Sequence, residues 1–167
     1  MPEKAGVVVS VVMGSDSDLP VMEETVKVLE AFAIPHELYL TSAHRTPERT
    51  AQFARWAAKR GIRVIIVGAG GAAHLAGVIA SQTLLPVIGV PIDATSLQGL
   101  DSLFATVQMP GGIPVATMAI GKAGAKNAAL FAVRILALED ADLLKKLQAY
   151  VRKMAQEVER KHENLMR

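Results

Sequence analysis

The run Val7-Val8-Val9-Ser10-Val11-Val12-Met13, closed by Gly14-Ser15-Asp16-Ser17-Asp18, decides the architecture. Seven residues with almost no polar side chain, and rich in β-branched ones, suit a strand buried on both faces. Such strands belong to parallel sheets covered by helices. The small polar cluster that follows is a turn, and the pattern after it changes period. From about Leu19 to Phe32, apolar residues recur at helical spacing, with Met22, Val26, Leu29 and Ala33 on one face. A buried strand, a tight polar turn and an amphipathic helix form the first unit of an α/β fold.

The unit repeats outward along the chain. Pro35 breaks the first helix, and Glu37 to Thr41 reads as a second strand. Pro47 opens a helix to Lys59, where its missing N–H costs nothing, and Gly61 stops it. Arg63 to Val67 is a third strand, leading into Gly68-Ala69-Gly70-Gly71. A short helix of small residues runs from His74 to Thr83, and Pro86 to Val90 is a fourth strand. Ser96 to Ala105 reads as a helix despite Gly99 within it. Pro114 to Ile120 is a fifth strand, Lys122 to Leu138 a long Ala/Leu-rich helix, and Asp140 to about Asn164 a final amphipathic helix. Strands alternating with helices five times predict a doubly wound, three-layer parallel sheet with right-handed crossovers. Five strands suggest the flavodoxin-like order 2-1-3-4-5. In that order the loops after strands 1, 2 and 3 share one rim, and these are the loops of unusual composition: Gly14 to Asp18, Ser42 to Pro47, and Gly68 to Gly77.

Length and composition bound the rest. The 167 residues suit one domain over 1–167, with a core from about 7 to 138. Half the residues are hydrophobic and 4% aromatic, so the core is built of Ala, Val, Leu and Ile. With no cysteine, disulfide and thiolate chemistry are excluded. Met1 to Ala5 is short and polar, no signal peptide is legible, and no apolar segment approaches the roughly 20 residues that span a bilayer. The expectation is a cytoplasmic protein without membrane contact. The pI near 9.0 does not argue for nucleic acid, since the net charge is only +2, charges of both signs are interspersed, and aromatics for base stacking are few. The last helix carries the stripe Leu143, Leu144, Leu147, Val151, Met154 and Val158. The helix before it is apolar or small on nearly every face. Both features point to packing against other subunits, hence a homo-oligomer.

Each rim loop offers chemistry. Ser15 and Ser17 stand at a helix start whose backbone N–H groups suit an anion. Asp18 is either the cap of that helix or an acceptor for ribose hydroxyls. Arg45 beside Ser42 and Thr46 makes a phosphate cradle, with a surface ion pair to Glu48 as the plain alternative. His44 and His74 both fall on the rim, whereas His36 and His162 are ordinary surface positions. An imidazole at a crevice is the default proton-transfer group. No acidic residue stands near either histidine at ligand spacing, so no metal is expected. Gly68-Ala69-Gly70-Gly71-Ala72-Ala73 fits G-x-G-x-x-A, a dinucleotide pattern, but after strand 3 rather than strand 1. Gly70 and Gly71 also leave room for a flat ring against backbone N–H groups. A phosphate-receiver domain does not fit, because strand 3 ends in Gly68 rather than an acceptor Asp.

Taken together, Gly14-Ser15-x-Ser17-Asp18, Ser42-Ala43-His44-Arg45-Thr46-Pro47, Gly68-Ala69-Gly70-Gly71-Ala72-Ala73-His74-Leu75, Gln108-Met109-Pro110-x-Gly112-x-Pro114-Val115 and Gly121-Lys122-Ala123-Gly124-Ala125-x-Asn127-Ala128-Ala129-Leu130 resemble the N5-carboxyaminoimidazole ribonucleotide mutase family of purine biosynthesis. The resemblance runs from about Val7 to Leu138. It implies a three-layer α/β octamer, a ribose-phosphate substrate bearing an aminoimidazole, no cofactor, and functional coupling to an ATP-dependent N5-carboxyaminoimidazole ribonucleotide synthetase. By matching position it implies His44 as the catalytic histidine. It implies Ser15, Ser17, Asp18, Ser42 and Arg45 as contacts to the ribose phosphate, and Gly70, Gly71, His74 and Leu75 as the strip along the imidazole and its carboxylate. A related class carboxylates aminoimidazole ribonucleotide directly with CO2. That class carries Lys where Arg45 stands and lacks the Gly-Gly-Ala-Ala-His run, so the resemblance favours the mutase. Ala76 stands where the family usually has Pro, which predicts a looser loop there. The reading from a different class is a non-enzymatic nucleotide-binding module that uses the Gly68 loop.

Overall fold

The computed structural model describes residues 6–166; the polar stretch from Met1 to Ala5 lies outside them. Contacts divide the chain into two compact units, Met1–Ala132 and Val133–Arg167. The first contains the sheet. Its strands are β1 (Val9–Met13), β2 (His36–Leu40), β3 (Val64–Gly70), β4 (Val87–Ile92) and β5 (Ala116–Thr117), all parallel in the order β2-β1-β3-β4-β5. The helices are α1 (Leu19–Ala31), α2 (Pro47–Ala57), α3 (Leu75–Ala80), α4 (Leu100–Val107) and α5 (Gly121–Leu136). The expected order is therefore the observed one. β1, β3 and β4 are buried along almost their whole length, as continuous apolar runs in a doubly covered sheet must be. The second unit holds the end of α5 and the helix α6 (Ala141–Leu165), whose start is capped by the Asp140 carboxylate accepting from the N–H groups of Asp142 and Leu143 at 3.0 and 2.9 Å.

Several element ends shift from the sequence reading (α3 stops at Ala80 and β4 runs on to Ile92), and three differences have a cause visible in the structure. β3 continues three residues past Val67, because Gly68, Ala69 and Gly70 pair in register with Val90, Pro91 and Ile92. The glycines there serve close packing. A Cβ on Gly68 would come 2.5 Å from the Met22 sulfur, and one on Gly70 would come 2.5 Å from the Ala94 Cβ. α4 starts at Leu100 rather than Ser96, because Gly99, at φ +86°, lies in the left-handed region, where a right-handed helix cannot run. β5 shrinks to two residues, paired to Ile88 and Gly89, with one more bond from the Met118 N–H to the Gly89 carbonyl at 2.8 Å. The Pro at 114 has no N–H to offer a ladder.

Burial on the helices is uneven. α5 buries Ala125, Ala128, Ala129, Ala132 and Val133 but exposes Lys122, Lys126, Asn127, Phe131 and Arg134, so it is not apolar all round as expected. On α6 only Leu143 of the predicted stripe is buried, while Leu144, Val151, Met154 and Val158 are exposed. On α4, Leu100, Phe104 and Val107 are exposed along one face. Among the described residues no helix is long and apolar enough to cross a membrane.

Candidate active site

The loops after β1, β2 and β3 meet at the carboxyl ends of their strands and enclose a cavity of about 340 Å³. Each loop is held by its own hydrogen bonds before any ligand is considered. After β1, a turn of 3₁₀ helix over Asp16–Asp18 is closed reciprocally: the Ser15 hydroxyl accepts from the Ser17 N–H at 3.4 Å, and the Asp18 carboxylate accepts from the Ser15 N–H at 3.1 Å. The Ser17 hydroxyl donates to that of Ser15 at 2.9 Å. Asp18 therefore caps the turn, not α1, whose start it occupies without a side-chain bond. It is the one buried carboxylate of the cavity wall, and burial pushes its pKa above the ordinary carboxylate value, against the pull of the Ser15 and Gly14 N–H groups.

The loop after β2 is folded on itself. The Ser42 N–H donates to the Thr46 hydroxyl at 3.0 Å. The Thr46 hydroxyl and N–H point back to the Ser42 carbonyl at 3.0 and 2.8 Å. Thr41 links below to Thr46 and to Thr50 on α2, at 3.1 and 2.9 Å. Thr46 is thus committed to the loop and does not line the cavity, which corrects its place beside Arg45 in a phosphate cradle. Arg45 itself is exposed. Its guanidinium donates to the Gly14 carbonyl at 3.0 Å and reaches the Ser42 hydroxyl at 3.5 Å, and it makes no ion pair with Glu48. The Gly14 contact ties the first two loops together and leaves a cation with unused donors at the cavity mouth.

The third loop leaves β3 at Gly70. Gly71 takes φ +59°, and two tight turns follow, Ala73 N–H to the Gly71 carbonyl and His74 N–H to the Ala72 carbonyl, both at 2.8 Å. His74 then caps α3 by position, and its carbonyl accepts from the Val78 N–H at 2.9 Å. Ala76 sits buried in the first turn of α3, so a residue expected to loosen the loop is enclosed by the fold.

The cavity brings together eight of the ten expected residues: Ser15, Ser17, Asp18, Ser42, His44, Arg45, Gly70 and Leu75. Gly71 and His74 stand outside its lining. Gly71 faces Thr95, and His74 touches the cavity only through His44, whose Nε2 lies 2.9 Å from the His74 Nδ1 with the rings edge-on at 80°. The sequence reading missed Ala94, which closes the wall from the loop after β4. That loop is pinned by the Thr95 hydroxyl donating to Asp101 at 2.6 Å, which holds the Asp101 carboxyl below its ordinary pKa. An alanine that contributes only shape carries no sequence signal. Among the described residues no group of three His, Cys, Asp or Glu is placed to hold a metal ion. The arrangement is a fixed cation and hydroxyls for an anionic group, a buried carboxyl for a hydroxyl-bearing one, and an imidazole for proton transfer, around a cleft with a glycine in its floor.

Comparisons with known proteins agree with this geometry. A family model described as AIR carboxylase matches residues 8–157. An N5-carboxyaminoimidazole ribonucleotide mutase from Pyrococcus horikoshii is 57% identical over 157 residues, covering 94% of this chain and 88% of that protein. A phosphoribosylaminoimidazole carboxylase from Candida glabrata is 52% identical over 150 residues, 90% of this chain but 26% of that longer protein. The crystal structure of PurE from Treponema denticola superposes with a TM-score of 0.86 at 28% identity, over 96% of this chain and 99% of the other. With a family model matched over residues 8–157 and a relative more than half identical over nine-tenths of its length, the chain belongs to the AIR carboxylase family.

Proposed function

We propose that this chain is an N5-carboxyaminoimidazole ribonucleotide mutase of purine biosynthesis, which moves a carboxylate from the exocyclic nitrogen of the aminoimidazole to ring carbon C4. The observation that carries the reading is the convergence of His44, Arg45, Ser15, Ser17 and Asp18 on one cavity with Gly70 in its wall. The high identity to proteins named as mutases supports it. Arg45 with Ser42, Ser15 and Ser17 binds the phosphate, Asp18 accepts from the ribose, and Gly70 and Leu75 form the side along which the ring lies. In the reaction His44 gives a proton to the exocyclic nitrogen as the carbamate C–N bond breaks and CO2 leaves. C4 then attacks the CO2, the C–C bond forms, and His44 takes the C4 proton, so the net change is one carboxylate and one proton exchanged between N and C4. Retaining CO2 beside C4 is a proximity effect. No cofactor takes part.

The reading extends to a homo-oligomer, an octamer, in the cytoplasm, with 1–167 acting as one catalytic domain. It works on the route to inosine monophosphate downstream of an ATP-dependent synthetase that makes the carbamate. Exposed apolar side chains on α4 and α6 support the assembly. The second reading, direct carboxylation of aminoimidazole ribonucleotide, is favoured by the name of the Candida relative. An ATP-free assay offering each imidazole separately decides between them. Turnover of N5-carboxyaminoimidazole ribonucleotide alone is expected, and reaction of only aminoimidazole ribonucleotide plus bicarbonate would overturn the mutase.

A further inference from the structure

We infer that His74 is a positioning residue: its Nδ1 holds the Nε2 of His44 and thereby selects Nδ1 of His44 as the atom that exchanges protons with a ligand in the cavity. The inference rests on the mutase reading for the reaction, but not for the geometry. The two nitrogens are 2.9 Å apart, across 30 residues of sequence. The backbone of each residue is fixed independently of the other. His44 rides on a loop closed by the Ser42–Thr46 bonds. His74 sits between buried Ala73 and buried Leu75 at the start of α3, with its backbone fixed by the tight turns before it.

His74 is not among the residues that line the main cavity. It lines a separate one, of about 370 Å³, with Gly77, Phe104 and Met109. His44 alone of the pair lines the cavity that carries Arg45 and Asp18. With Nε2 of His44 engaged, its other ring nitrogen is the one left for substrate. With His74 accepting at Nδ1, the Nε2–H of His44 stays on its partner in both protonation states. In the neutral ring the Nδ1 of His44 carries a lone pair and takes a proton, and the imidazolium so formed gives that Nδ1 proton back. Either way the ring is held in one place. A reaction that gives a proton to nitrogen and takes one from carbon needs the same atom as acid and as base, and this pairing supplies both without a ring flip.

The test uses the full chain and two variants of this exposed residue. His74→Phe keeps a ring but has no nitrogen. His74→Asn returns an amide whose oxygen or nitrogen stands near the Nδ1 position and, by rotation of the amide, accepts or donates. The expected result is a kcat about tenfold or more lower in His74→Phe, less than the roughly 10²–10⁴-fold attached to a general acid/base itself, with KM within about twofold and most of kcat recovered in His74→Asn. Independently of activity, ¹⁵N NMR of the His44 ring is expected to show a hydrogen-bonded Nε2 in wild type and in His74→Asn, and a solvent-exposed one in His74→Phe. A raised KM with unchanged kcat would make His74 a substrate contact and overturn the inference, as would equal loss in both variants or an Nε2 signal indifferent to the substitution. If the chain lacks mutase activity altogether, the kinetic arm fails for wild type and variants alike, while the NMR arm still decides the pairing.

Discussion

The two flanks of the sheet are built on opposite plans. On the β2–β1–β3 flank β1 and β3 are buried and paired on both sides, and the polar loops above the strands satisfy themselves through Ser15–Asp18, Ser42–Thr46 and Arg45–Gly14 bonds. On the β4–β5 flank the last strand has two residues, and α4 beside it turns Leu100, Phe104 and Val107 to solvent. The first flank spends polar groups on rigidity and leaves a few donors over for a ligand. The second leaves apolar surface over, which is the signature of a face that meets protein. The proposed catalysis and the proposed assembly therefore fall on different parts of one sheet, and substitutions should separate them.

The largest effect is expected at the imidazole. His44→Asn should lower mutase turnover by about 10²–10⁴-fold, with no change in melting temperature, since the side chain is exposed. Full activity in the ATP-free assay would remove catalysis from that flank. Arg45→Ala should raise KM about 10- to 100-fold, the equivalent of about 1.5–3 kcal/mol for a hydrogen bond to a charged group, and leave kcat nearly intact; steady-state kinetics with saturating substrate checks this. On the other flank, Leu100→Glu with Phe104→Glu should lower the assembled mass in light scattering while costing the chain's own fold no more than about 0.5 kcal/mol per site. An unchanged mass would break the division of labour.

The smallest effect concerns Asp18. Its carboxyl is raised in the folded state because burial penalises the ionised form. The folded protein therefore holds the proton more tightly than the unfolded chain, and stability is greatest below the unfolded carboxylate pKa and falls as pH rises through the folded one. Asp18→Asn should melt slightly above wild type at pH 7, with the difference closing as pH drops toward 3. A gap that widens in acid would contradict the burial argument.

Much of this was legible along the chain. Continuous apolar runs located the buried strands and helical spacing the helices, because a strand covered on both faces buries every residue and a helix buries one face. The strand order followed from five βα units, and the rim residues followed from their loops. What stayed illegible depended on atoms far apart in sequence. That Gly68 and Gly70 belong to β3 is decided by Met22 and Ala94, which press against them. That Arg45 reaches the Gly14 carbonyl is decided by how β1 and β2 bring their ends together.

The sequence by itself determined a doubly wound α/β sheet, the loops that meet on its rim, and the residue types that make those loops reactive. Only the tertiary structure decided that His44 and His74 form a pair, that Ala94 walls the cavity, and that the strip of expected contacts divides between two cavities. Backbone propensity and hydrophobic pattern act over a few residues, whereas side-chain pairing acts over a few ångströms of space, and only folding converts the one distance into the other.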